Sequence, residues 1–156
     1  MSERTVTHDT FTIERTYAAS PARVFAAWAD PAAKRVWFAE GDGWELFGYD
    51  QDFRVGGKET SSFRFKGGDV ISNDTTYLDI VPEKRIVFAY TMVIAGTPMS
   101  ASLGTAEFVP EGTGTKLVFT EHDAFFDGID KSGSRKNGCA GLLVRLDHYL
   151  KETAAA

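Results

Sequence analysis

The stretch Lys136–Glu152, KNGCAGLLVRLDHYLKE, decides how the rest of the chain has to be arranged. Its apolar residues Cys139, Leu142, Leu143, Leu146, Tyr149 and Leu150 follow the i, i+3, i+4, i+7 spacing of a helix with one buried face. That face needs a cover. No stretch between about residue 37 and this helix has helical period, whereas several alternate like strands, so the cover is a sheet. The expected architecture is α+β, a long C-terminal helix held by a curved antiparallel sheet of six to seven strands.

Working outward, Thr10–Ala18 places Phe11, Ile13, Arg15 and Tyr17 on one parity and reads as a first strand. Ser20-Pro21 and Asp30-Pro31 each join a capping side chain to a proline at the first helical position, which predicts two short helices ending near Ala29 and Val36. Residues 37–43 read as a turn. Extended segments follow over Trp44–Tyr49, Lys58–Phe65, Val70–Ile80, Arg85–Ile94, Met99–Val109 and Thr115–His122, broken by Gly- and Pro-bearing turns. Residues 127–137 form the one long polar loop, and residues 1–9 a flexible start.

The 156 residues fit a single domain whose 43% apolar content builds a core without disulfide or metal. One cysteine, Cys139, makes no internal disulfide, so a reduced, cytoplasmic setting is expected. Neither a membrane-spanning run nor a signal-peptide pattern is present in the sequence. With 17 Lys and Arg against 22 Asp and Glu, and no dense basic cluster, nucleic acid is excluded as an expected partner. Twelve Phe beside 15 Gly suit a strongly curved sheet that leaves interior space.

The string Arg15–Pro31, RTYAASPARVFAAWADP, resembles the opening signature of the homologues of the activator of heat-shock protein 90 ATPase, within the START-like (SRPBCC) helix-grip superfamily. Trp37-Phe38, Asp52–Gly57, Tyr77–Arg85 and Gly138–Leu150 resemble that family in the same order, over nearly the whole chain. The resemblance implies a helix-grip fold with an internal cavity. It leaves function open, because the superfamily binds lipids, hormones and polyketides or catalyses cyclisation. It also implies a Trp in many relatives where this chain carries Cys139, a smaller side chain that leaves room if it faces inward.

Charges on an inward parity are unusual. Arg15 shares parity with Phe11, Ile13 and Tyr17, and Glu121 with Leu117 and Phe119. In the fold implied by the resemblance the first and last strands are neighbours, so the two meet near the cavity. There they form either an ion pair that orients a ligand or moves a proton, or a structural pair at the sheet end. Phe88, Tyr90, Met92, Phe108 and Phe119 read as core or as cavity walls, with Gly104, Ala106 and Gly141 as the small residues that leave space. Trp28, Trp37 and Trp44 read as its mouth or as ordinary packing.

No metal site is expected, since Glu121 and His122 point to opposite faces. No cofactor motif is present either, the strings Val55-Gly56-Gly57 and Lys66-Gly67-Gly68 lacking the features of a phosphate-binding loop. Cys139, among apolar residues, reads as an inert thiol.

The expected function is binding of a small hydrophobic or aromatic molecule between sheet and helix. Arg15, Trp37, Phe88, Tyr90, Met92, Phe108, Phe119, Glu121, Cys139 and Leu142 are the expected ligand-binding residues. A cyclase-like or isomerase-like enzyme using Glu121, and a chaperone-associated interaction module, are the alternatives. The protein is expected as a monomer or homodimer.

Overall fold

The structure, a computed structural model, describes residues 4–130 and 132–154. Strand β1 (Val6–Tyr17) is followed by helices α1 (Pro21–Ala29) and α2 (Pro31–Lys34) and a π-helical turn, Arg35–Ala39. Strands β2 (Trp44–Gln51), β3 (Lys58–Phe65), β4 (Ile71–Val81), β5 (Arg85–Ile94), β6 (Thr97–Glu111) and β7 (Gly114–Phe126) come next, and α3 (Ser132–Glu152) closes the chain. All seven strands form one antiparallel sheet in the order β1-β7-β6-β5-β4-β3-β2. This is the helix-grip arrangement, with the sheet curved around α3.

The caps behave as their chemistry requires. Ser20 Oγ accepts from the Arg23 N–H at 3.2 Å and Asp30 Oδ1 from the Ala32 N–H at 3.1 Å, each just ahead of its proline. Helical structure then runs past Val36 to Ala39, where a turn was expected. Trp37 draws it on, because its ring is buried and its indole N–H donates to the Ala27 carbonyl at 2.9 Å.

Two hairpins are tighter than the sequence implied. Ala95 and Gly96 both take positive φ (49° and 80°), so the β5–β6 turn closes there and Thr97-Pro98 already belongs to β6. Gly112-Thr113 alone joins β6 to β7, with Glu111 opposite Gly114. The first strand starts at Val6, not Thr10, because Val6–Asp9 pair with Asp123–Phe126 of β7. Of the start expected to be flexible, residues 4–9 are described and Met1–Glu3 lie outside the described residues.

The solid part of the core lies where α1 and the second half of α3 meet β1, β6 and β7. Tyr17, Val24, Ala106, Phe108, Leu117, Leu146 and Leu150 are buried together there. Tyr17 Oη donates to the Leu143 carbonyl at 2.9 Å, which fastens α3 to the end of β1. Gly104 lacks a side chain because the Phe88 ring occupies the place: a Cβ on Gly104 would lie 2.6 Å from Phe88 Cζ. The space expected from Gly104 is therefore filled. Ala106, fully buried, belongs to the solid core. Gly138 and Gly141 on α3 face open space instead.

Candidate functional site

Between the first half of α3, the π-turn and the concave face of β3–β7 lies a cavity of about 550 Å³. That volume falls in the range of drug-sized ligand pockets. Trp37, Phe88, Tyr90, Met92, Phe119, Glu121, Cys139 and Leu142 line it, as do Trp28 and Gly141. Trp28 and Trp37 are buried walls rather than a mouth, their rings 5.1 Å apart at 62°. Trp44, 40% exposed, stands at the rim with Arg145.

Two expected residues are placed elsewhere. Phe108 packs its ring on Phe25 (5.5 Å) and Trp28 (6.3 Å) inside the solid core. Arg15 does not meet Glu121. β1 and β7 are indeed neighbours, but their register sets Arg15 opposite Leu117 and Phe11 opposite Glu121. Four residues of strand then separate the two charges, roughly 13 Å. Arg15 Nη2 pairs instead with Asp147 Oδ2 of α3 at 3.5 Å.

The partner of Glu121 is Arg135, from a segment expected to be loop. α3 begins at Ser132, so Arg135 projects from its first turn toward the sheet. It donates to Ser100 Oγ (2.7 Å), Ser102 Oγ (3.1 Å), Tyr90 Oη (3.1 Å) and Asp130 Oδ2 (2.9 Å). It also lies 3.5 Å from Asp123 Oδ1 and 3.7 Å from Glu121 Oε2. These contacts hold a polar, glycine-bearing segment in helical form where apolar periodicity is absent.

Glu121 is fully buried and accepts from Tyr90 Oη at 2.7 Å, with Cys139 Sγ 3.9 Å away. Among the described residues, Glu121 Oε2 and Asp123 Oδ2 have no N–H or O–H partner. Burial is the main cause that pushes the Glu121 carboxyl up to about 8; the neighbouring Asp123 carboxyl adds to it, and the Tyr90 hydroxyl and Arg135 pull it back. Burial and the Glu121 charge likewise hold the Tyr90 phenol and the Cys139 thiol protonated. With its pKa raised, Glu121 is mainly protonated at neutral pH, and Cys139 is no nucleophile there.

A second polar cluster borders the cavity at β3 and β4. Lys34 Nζ, from α2, donates to Glu59 Oε1 at 2.7 Å, and both side chains are almost wholly buried. Glu59 also accepts from Tyr77 Oη and, at 3.3 Å, from Gln51 Nε2. The Lys34 ammonium lies 4.7 Å from the Phe38 ring centre and 5.2 Å from that of Trp28.

Asp123, Arg135, Lys34, Glu59 and Tyr77 had not been singled out. Asp123 shares the parity of Glu121 two residues on, so strand alternation carried that signal. For Arg135 no signal existed, and Lys34 gave none on a helix of four residues. His122 points outward, its Nδ1 3.0 Å from Thr10 Oγ1. Among the described residues no three His, Cys, Asp or Glu side chains converge as a metal-binding set, and no helix is long and apolar enough to cross a membrane.

Comparison with known proteins agrees with the resemblance. No curated protein matches the chain. The crystal structure of the Mll3558 protein from Rhizobium loti is 51% identical, with a TM-score of 0.87 over 94% of this chain and 99% of that one. A putative uncharacterized protein from Rhizobium leguminosarum is 42% identical, with a TM-score of 0.93 over 97% of this chain and 99% of that one. The AHSA1-like protein from Aeromonas hydrophila, at 20% identity and a TM-score of 0.72 over 95% of this chain and 96% of that one, shares the fold. The family model described as Activator of Hsp90 ATPase homolog 1-like protein matches residues 18–151, and the chain belongs to that family.

Proposed function

We propose that the protein binds a small hydrophobic or aromatic molecule in the cavity between sheet and α3. The observation that carries this reading is an aromatic-walled space of about 550 Å³ that ends on the buried group Glu121, Tyr90 and Arg135. Apolar walls supply affinity by releasing water, and a few fixed polar atoms orient the ligand. Protonated Glu121 donates to a ligand oxygen; the Tyr90 hydroxyl, which donates to its other oxygen, fixes the orientation of the carboxyl. One free thiol and a fold without a disulfide suit a reducing, cytoplasmic setting.

Native mass spectrometry of the protein purified from its source organism tests the proposal, together with titration of the neutral fluorophore N-phenyl-1-naphthylamine. A retained small-molecule mass, or saturable probe uptake, is expected. Absence of both would overturn the reading.

A cyclase-like or isomerase-like activity is the second reading, favoured by a carboxyl at the cavity wall whose pKa of about 8 lets it give and take a proton near neutral pH. A Glu121→Gln variant that binds the retained ligand normally without converting it would establish catalysis. The family description also names a chaperone activator. Pull-down of the chaperone from the organism's own extract tests that role.

A further inference from the structure

Strand register lines the inward-facing residues into rows across the sheet. One row runs Asp123, Ser102, Tyr90, Thr75, Glu59 and Gln51, from β7 through β6, β5, β4 and β3 to β2. Every member is polar, and all but Gln51 are buried. The neighbouring row on the same face places Ser100, Met92, Asn73 and Ser61 side by side. Tyr90, Thr75, Glu59, Asn73 and Ser61 of these rows reach the cavity floor among apolar side chains such as Phe88 and Phe119, while α1, the π-turn and α3 contribute Trp28, Trp37 and Leu142 to an apolar roof.

The polar row ends in a charged cluster on each side. Glu121, Asp123 and Arg135 close it at β7, and Lys34, Glu59 and Tyr77 close it at β3 and β4. Four strand spacings separate β7 from β3, roughly 19 Å on a flat sheet and less along a concave one. Apolar residues of the same volume often hold a core as well as a buried ion pair, so stability alone is a weak account of the Lys34–Glu59 pair. Its position on the cavity wall gives a better one.

Deepening the binding reading, on which it rests, we infer that the Lys34–Glu59 cluster is a second recognition site in the same cavity, and that the ligand is an elongated, mainly apolar molecule with an uncharged oxygen function, hydroxyl or carbonyl, at each end. The charge at each end is already opposed: Lys34 by Glu59, and Arg135 by Asp123 and Asp130. A carboxylate or ammonium on the ligand would enter unpaired, at a cost that a neutral oxygen avoids. Ser61, Thr75 and Asn73 line the floor beside the Lys34–Glu59 cluster and tolerate further oxygen substituents at that end.

Displacement of N-phenyl-1-naphthylamine from the wild-type protein by 1,12-dodecanediol and by 1-dodecanol, with shorter and longer homologues of each, tests this directly. At one chain length the diol is expected to displace the probe at roughly tenfold lower concentration than its mono-alcohol, as one added hydrogen-bonded end predicts. The advantage should fall below about threefold in the double variant Lys34→Met/Glu59→Leu, shown to be folded by a cooperative thermal transition. If that variant does not fold, Tyr77→Phe, which removes one donor to Glu59, should reduce the advantage. Equal potency of diol and mono-alcohol at every length in the wild type would overturn this inference and leave the binding reading standing. A diol advantage unchanged in the folded variants would also overturn it. No probe uptake at all would overturn the binding reading and this inference with it.

Discussion

The two halves of α3 meet the same sheet in different ways. From Leu143 to Leu150 the helix lays Leu143, Leu146 and Leu150 into a closed apolar core against Tyr17, Val24 and Leu117. From Ser132 to Leu142 it carries Gly133, Gly138 and Gly141, leaves a cavity beneath, and is held by Arg135 through hydrogen bonds and charge. The difference teaches that a single helix serves both as a structural anchor and as a wall. Dispersion and water release fix the anchor, whereas directional polar contacts position the wall without filling the space below it.

The sharpest way to break this comparison is truncation in the anchor. Leu146 is fully buried, and Leu146→Ala should cost about 4 kcal/mol through lost burial and the cavity left behind. Urea unfolding reads this, and a loss below about 1 kcal/mol would show that the anchor half is loosely packed.

In the wall half the corresponding change is Arg135→Ala, which strips the cation from Asp123, Asp130 and the Glu121 site. A loss of about 3 kcal/mol is expected at neutral pH. Without Arg135 the Glu121 carboxyl should move further above about 8, since the guanidinium opposes the rise. A stability equal to the wild type would mean that the polar contacts do not hold this half.

The pH dependence of stability sharpens the same contrast. Glu121 titrates near 8 in the folded chain against 4.5 for an ordinary carboxyl, so between those values the folded state binds more protons than the unfolded one. Stability from this group is complete below the lower value and is lost as pH rises through the upper one, at up to about 1.4 kcal/mol per pH unit. Asp123, Tyr90, Arg135 and Cys139 face the carboxyl and set the window. Urea midpoints measured between pH 5 and 8 should fall with pH in the wild type and flatten in Glu121→Gln. Parallel curves would place the proton elsewhere.

The smallest effect concerns Cys139, in the wall half. Cys139→Trp should keep the cooperative transition while weakening uptake of N-phenyl-1-naphthylamine roughly tenfold, because the indole occupies cavity volume. Undiminished uptake would show that the position borders core, not cavity.

Most of the fold was legible because its signals are local. Alternation located β3 and β5 residue for residue, and cap-proline pairs located α1 and the start of α2. The errors fell at ends, where long-range pairing overrides local pattern: β1 reaches Val6 because β7 continues to Phe126, and the helical turn reaches Ala39 because Trp37 is anchored on Ala27. Of the cavity lining, the apolar walls and the inward-facing Glu121 were legible, and the charges paired around Glu121 were not. Phe88, Tyr90, Phe119 and Leu142 announce themselves by parity and helical spacing. The pairing of Arg15 with Glu121 failed on register, which no single strand encodes.

By itself, the sequence determined the α+β architecture, the buried stripe of α3 and the inward face that carries Glu121, since periodicity and capping chemistry are written residue by residue. Tertiary structure alone decided that Arg135 and not Arg15 meets Glu121, that Gly104 is filled by Phe88 while Gly141 opens on a cavity, and that six polar residues from six strands form one belt. The physical reason is common to all three. Which side chains share a face follows from local periodicity, but which of them touch depends on how strands far apart in the chain are offset against one another.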